Sequence, residues 1–171
     1  MKPCSLLLAI AALAASGAPV AGAPVAAPQP ATGRALILIP LTLTKIDDLS
    51  FGTVVPSAVS GAVSINAATG ARTIIGGVTG VPSDVGQRAY FGTAGSPNQQ
   101  VIVTVSQPLA LTSIAGDTIP VLALTLDGAP IRTIDPTTRT FFFGVGGVIL
   151  VGANQPEGVY QATFDVTATY L

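Results

Sequence analysis

Between residues 160 and 170 apolar and polar side chains alternate without a break. Tyr160, Ala162, Phe164, Val166, Ala168 and Tyr170 fall on one face, and Gln161, Thr163, Asp165, Thr167 and Thr169 on the other. A period of two is that of a β-strand with one buried face. The pattern therefore predicts a half-buried strand over 160–170, entered from a turn over 152–158 that ends on Gly158. The same reading finds further short strands. Residues 61–66 and 71–75 flank Ala-Ala-Thr-Gly and read as a hairpin, with Gly70 suited to positive φ. Residues 47–55 form a strand with Gly52 as a bulge, and 88–93, 100–106 and 121–126 are strands bounded by turn residues. Residues 140–151 are strongly apolar, interrupted by Gly144, Gly146 and Gly147.

The segment 34–44 (RALILIPLTLT) behaves differently. Ala35, Leu36, Ile37, Leu38 and Ile39 are apolar on both faces, as expected of a strand buried on two sides or inserted between sheets. Pro40 has no amide donor, so pairing should break there, before Leu41 and Leu43 resume alternation with Thr42 and Thr44. No convincing helical period occurs beyond the first two dozen residues. About 7–10 short strands with a turn signal every ten residues or so indicate an all-β sandwich or barrel.

The N-terminus carries a leader. Lys2 precedes the apolar run 6–15, and Ala21-Gly22-Ala23 offers a small-x-small cleavage site, with a cut near Gly17 or Ala18 as the alternative, so residues 1–23 read as a secretory signal peptide too short for a membrane span. Residues 24–34 form an Ala/Pro-rich linker, and 35–171 the β-domain. Export leads to the periplasm and then to the cell surface or the medium. The single cysteine of the chain, Cys4, lies in the leader, so the exported domain has no disulfide. Charged residues are only 9% of the chain, with 7 basic against 8 acidic; roughly 25% is usual. So bland a surface suits an extracellular or assembled protein, and it offers no basic patch for nucleic acid.

Catalytic chemistry finds little support. The chain has no His, which removes the common acid–base pairs and His-containing triads. A carboxylate pair of the glycosidase kind would come from Asp47, Asp48, Asp84, Asp117, Asp127, Asp135, Glu157 and Asp165. Most of these lie in turns, where Asp serves local hydrogen bonding. Gly144-x-Gly-Gly lacks the Lys-Ser/Thr of a phosphate loop, and the Asp47-Asp48 pair lacks the ligand density Ca²⁺ requires. Phe141, Phe142 and Phe143 are expected to send one or two rings into the core. No cofactor, metal or enzymatic activity is expected. Aromatics at both ends of the last strand also suit a small outer-membrane β-barrel. Strands apolar on both faces, over 35–39 and 141–151, argue against the polar lumen that such a barrel needs.

Three blocks, PLTLTKIDDLSFGTVVP (40–56), SINAATGARTI (64–74) and VGANQPEGVYQATFDVTATY (151–170), resemble the bacterial secreted family catalogued as domain of unknown function 4402. That family is similar to fimbrial subunits of the chaperone–usher type and to spore-coat-U-like proteins. Gly158, fourteenth from the end, and the penultimate Tyr170 match the C-terminal motif of pilins. The resemblance implies an immunoglobulin-like, pilin- or adhesin-like sandwich that lacks its final strand. A periplasmic chaperone fills the gap first, and the extension of another subunit, delivered at an usher, then replaces it by strand addition. On that reading Gly158, Tyr160, Ala162, Phe164, Val166, Ala168 and Tyr170 form the edge strand, and Ala35, Leu36, Ile37, Leu38 and Ile39 the candidate donor. The expected partner is a second copy or a related subunit. The alternative is that 35–44 is the first strand of a self-complete surface or adhesive domain.

Overall fold

A computed structural model describes residues 29–30 and 32–171; the expected leader, and residues 24–28 and 31 of the expected linker, lie outside the described residues. The chain divides into two units, Met1–Leu36 and Ile37–Leu171. The described residues of the first carry no strand or helix. The second is an all-β sandwich with no helix among its residues.

Its strands are β1 (Thr42–Asp47), β2 (Val54–Val55), β3 (Gly61–Ile65), β4 (Arg72–Gly76), β5 (Thr79–Gly80), β6 (Ala89–Ala94), β7 (Gln100–Val105), β8 (Ala110–Thr112), β9 (Thr118–Leu126), β10 (Ile131–Thr133), β11 (Thr140–Val151) and β12 (Val166–Tyr170). The larger sheet runs β1-β6-β11-β3-β4, with β9 also on β11 and β8 on β9. The smaller runs β10-β7-β12, and β2 pairs with β5 alone. All pairings are antiparallel. These are separate sheets with free edges, so the described residues do not form a single closed barrel.

The expected hairpin is present. Asn66 Oδ1 accepts the N–H groups of Ala68 and Thr69, and Gly70 has φ +75°. The twelve-residue β11 organises the large sheet by pairing with β6 along its first half, with β3 along its second, and with β9 through Val145–Ile149. Its glycines permit close approach rather than a turn. A Cβ on Gly144 would strike the carbonyl of Ala67, and one on Gly146 the carbonyl of Ile65. Period-two burial then fills the interior. Ala89, Phe91 and Thr93 of β6, Val101 and Val103 of β7, and Phe143, Val145, Ile149 and Val151 of β11 are all buried. Of the three consecutive phenylalanines, Phe143 is fully buried and stacks on Phe91 at 5.3 Å. Phe142 points outward onto Tyr90. Two core clusters result, one around Val63, Val121 and Ile149, the other around Ala89, Val103 and Phe143.

Two expectations are corrected. The segment 34–44 was expected to begin as a strand, yet residues 35–39 carry none and β1 starts at Thr42. Pro40 lacks the N–H that would extend the ladder, and Ile37 is 92% exposed. The count of strands also exceeds the expectation, because β2, β5, β8 and β10 are each two or three residues long and too short to show a period.

Candidate functional site: an open edge between two sheets

The C-terminal face is less regular than its alternation suggests. Only Val166–Tyr170 is a strand, paired with β7 from Val105 to Val101. Upstream, Gln161 exchanges backbone hydrogen bonds with Thr112 of β8 in an isolated bridge. Between these contacts the chain steps from β8 to β7. Ser106 N–H donates to the Asp165 carbonyl, and Asp165 N–H to Ser106 Oγ, each at 2.8 Å. That step breaks the ladder over 162–165, so the expected unbroken strand over 160–170 is shortened to five residues. The alternation survives it. Tyr160, Phe164, Val166, Ala168 and Tyr170 are half-buried, while Ala162 and Gly158 are exposed. Not one member of this apolar face is fully buried, because the space in front of it is open.

β12 is the last strand of its sheet and β1 the last of the other. A cleft of two adjoining pockets, which share Ala162 and Phe164, runs beside the C-terminal face; β1 and β12 line only the narrower one, β12 through Val166 alone. Its narrower part, about 370 Å³, lies between Leu43 and Lys45 of β1, Phe91 of β6, and Phe164 and Val166. Its wider part, about 690 Å³, continues past Phe164 and Ala162 to Tyr160 and Val159, against the wall 49–56. The floor is core: Ile119, Val121, Ile149 and Val151 line it. A Lys45–Asp48 ion pair at 2.6 Å, well exposed, marks the mouth. Such a surface has unpaired strand edges on both sides and apolar side chains at the bottom, two features that soluble domains normally cover.

The outer wall is held by one side chain. Arg72 of β4 sends Nη1 to the carbonyls of Phe51 (3.3 Å), Thr53 (3.1 Å) and Asp84 (2.9 Å), and Nη2 to that of Val81 (3.0 Å). These carbonyls belong to the two loops that carry β2 and β5. The loops are also tied by Ser50 and Gln87 and by Thr53 Oγ1 donating to Asp84 Oδ2 at 2.7 Å. The Thr53 hydroxyl, helped by the Gly86 and Thr53 amides and by Arg72, holds the Asp84 carboxyl below its ordinary value. Gly52 and Gly86 pack backbone to backbone at positive φ, where a side chain is strained.

At the opposite pole the Tyr170 hydroxyl accepts the Ser96 N–H at 2.7 Å and donates to the Ile39 carbonyl at 3.0 Å. Ile39 N–H in turn donates to Ser96 Oγ at 2.9 Å. The structure thus brings the penultimate tyrosine to the base of the candidate donor segment. Gly158 has no comparable local reason. Its φ is not positive, and a Cβ there would meet only ordinary contacts with Ser113 and Tyr160.

The carboxylates considered for catalysis are spread among turns. Asp127 bonds Arg132 at 2.6 Å and the Gly144 amide. Asp135 caps Thr137 and Thr138, whose amides lower its pKa, Thr138 most. No group of three or more potential metal ligands gathers among the described residues, and no helix there is long and apolar enough to cross a membrane. Arg72, Ser96 and the wall 49–56 escaped the sequence reading. The available signal was Arg72 itself, a charge inside a strand of a chain that has few.

The fold is an all-β sandwich with an open cleft between β1 and residues 162–166. Residues 41–170 match the family described as Domain of unknown function (DUF4402), and the chain belongs to that family. No curated protein and no solved structure matches the chain.

Proposed function

We propose that the protein is an exported structural subunit of a bacterial surface fibre or coat, and that a strand from a partner completes its sandwich along the edge between β1 and β12. The observation that carries this reading is the pocket between β1 and Val166 of β12, lined by the core residues Ala89 and Phe91 and continued past Phe164 by a wider apolar pocket. A strand laid there would pair with free backbone groups and bury the half-buried C-terminal face, as in β-strand addition. Before assembly the same surface invites edge-to-edge aggregation. A periplasmic chaperone and an usher are therefore natural partners, and the bland charge of the chain fits life outside the cytoplasm. No cofactor or catalytic residue enters this reading.

The test is assembly. Exported protein should run as a ladder of bands in unheated SDS gels and collapse to monomer on boiling. A uniformly monomeric product, stable without any partner, would exclude the subunit role. That result would favour a self-complete surface or adhesive domain, a reading to which the two formed core clusters lend support.

A further inference from the structure

Among the described residues, the bond between Arg34 and Ala35 differs from every other bond that follows a basic side chain. Residues 32–38 carry no strand, and all but Leu38 are exposed, Leu36 at 74% and Ile37 at 92%. A Cβ on Gly33 would meet nothing within 4 Å. Arg34 is the one charged residue between Pro24 and Thr44. Prolines fall at Pro30 and Pro40, so the stretch 31–39 around the bond is free of the locked φ that would keep a backbone out of a protease.

The other basic residues are withheld. Lys45 is paired with Phe91 in the β1–β6 ladder. Arg72 is bound to four carbonyls. Arg88 Nη1 donates to the carbonyls of Ala67 and Ala68, and its guanidinium lies over the Tyr90 ring at 4.7 Å. Arg132 bonds Asp127 Oδ1 and the Ala129 carbonyl, each at 2.6 Å. Arg139 closes a turn, its N–H donating to the Asp135 carbonyl and its own carbonyl accepting the Gly95 N–H, each at 3.0 Å. A protease takes its substrate as an extended strand. Backbone already committed to a ladder or a turn must open before it can be cut, whereas an exposed, unpaired stretch needs no unfolding.

We propose that Arg34–Ala35 is a processing site for an arginine-specific endoprotease acting on the folded, exported chain. A carboxylate in the protease pocket would pair with the planar guanidinium. The reaction consumes one water: the C–N bond breaks, Arg34 keeps the new carboxylate and Ala35 the new amine. The cut leaves the sandwich whole, because all twelve strands and the Tyr170–Ile39–Ser96 clamp lie downstream. It removes the Ala/Pro-rich segment with its one charge, and the domain then begins on the five apolar residues 35–39. Of the reading above this requires export alone, not assembly.

The N-terminus of the protein recovered from the envelope and medium of the bacterium that makes it tests this, read by N-terminal sequencing and intact mass. The chain should begin at Ala35, and Arg34→Gln should begin upstream, at the leader cleavage site. A parent chain that begins at the leader cleavage site would overturn the proposal, and so would Arg34→Gln still beginning at Ala35. A chain that keeps its leader inside the cell would defeat export and the processing with it, whereas loss of the SDS ladder from a chain beginning at Ala35 would defeat assembly alone. Brief trypsin digestion of the chain exported from a host without such a protease checks access. It should cut after Arg34 alone and leave residues 35–171 with unchanged thermal unfolding; equally fast cuts after Arg72, Arg88 or Arg132 would overturn the selectivity on which the site rests.

Discussion

Arg72 offers the sharpest test of how the cleft keeps its shape. Arg72→Met retains the aliphatic stem and deletes the guanidinium, whose two terminal nitrogens reach four carbonyls of the wall loops. Nη1 carries two protons for its three acceptors, so about three hydrogen bonds are effectively made. Bonds from a charged donor contribute ~1.5–3 kcal/mol each when buried. Arg72 is half-buried and its acceptors border solvent, so about 1 kcal/mol each is the better figure, or ~2–4 kcal/mol in total. For a domain of this size that is a fall in Tm of roughly 5–12 °C. Arg72→Lys should recover little, because an ammonium cannot present the planar fork that spans these loops. Thermal unfolding followed by circular dichroism gives the stability, and amide exchange over 50–55 and 81–87 gives the locality. A change below about 0.5 kcal/mol, the scale of an ordinary surface substitution, with the wall amides still protected, would refute the idea that this side chain holds the wall.

Four further perturbations follow from the same geometry. Tyr170→Phe keeps the ring but strands the Ser96 amide, in a residue only 8% exposed; the cost should be ~1–3 kcal/mol in urea titration, with faster amide exchange at Ile39 and Ser96, and unchanged exchange would count against the clamp. Gly146→Ala puts a methyl onto the Ile65 carbonyl and should lower stability by ~1–3 kcal/mol or more; Gly158→Ala, with open space around it, should change the isolated chain by less than about 0.5 kcal/mol and any effect should surface only in the SDS ladder. The lowered pKa of Asp84 stabilises the folded wall above the unfolded value of 3.8, and that contribution is lost as pH falls through the folded value. Asp84→Asn should therefore flatten the acid limb of the stability–pH curve. Asp135, shifted in the same direction, leaves part of the limb in place, and a variant with an unaltered acid limb would show that Asp84 carries no such linkage.

Strands whose side chains alternate against a formed core were legible from the residues alone. The hairpin around Gly70, the inward Val101 and Val103, and the division of the three phenylalanines all follow from period two plus one turn residue. What escaped is set by contacts distant in sequence. β8 and β10 are three residues each and exist because β9 and β7 lie alongside them. The break over 162–165 comes from Ser106 and Thr112, some fifty residues away, to which no local pattern points. The wall is bound by an arginine finding carbonyls from four other residues, beside the Ser50–Gln87 and Thr53–Asp84 ties. The site was half legible: Tyr170, Phe164 and Val166 sit on the cleft as the alternation implied, but the opposing wall and the Ile39 clamp did not show.

The partial burial of the C-terminal face is the strongest physical link between these observations and assembly. Interior strands such as β6 and β11 bury Ala89 and Val145 fully, whereas the edge strands β4 and β12 share one half-buried pattern. Here Phe164 and Val166 pack one side against the core cluster and leave the other side on the cleft, and the alternation continues through residues such as Ala162 that the isolated domain leaves exposed. A second strand lying across the face gives a reason for that continuation, because each apolar position then meets a partner. Pro40 has no N–H with which to extend the pairing of β1 toward the clamp at Ile39.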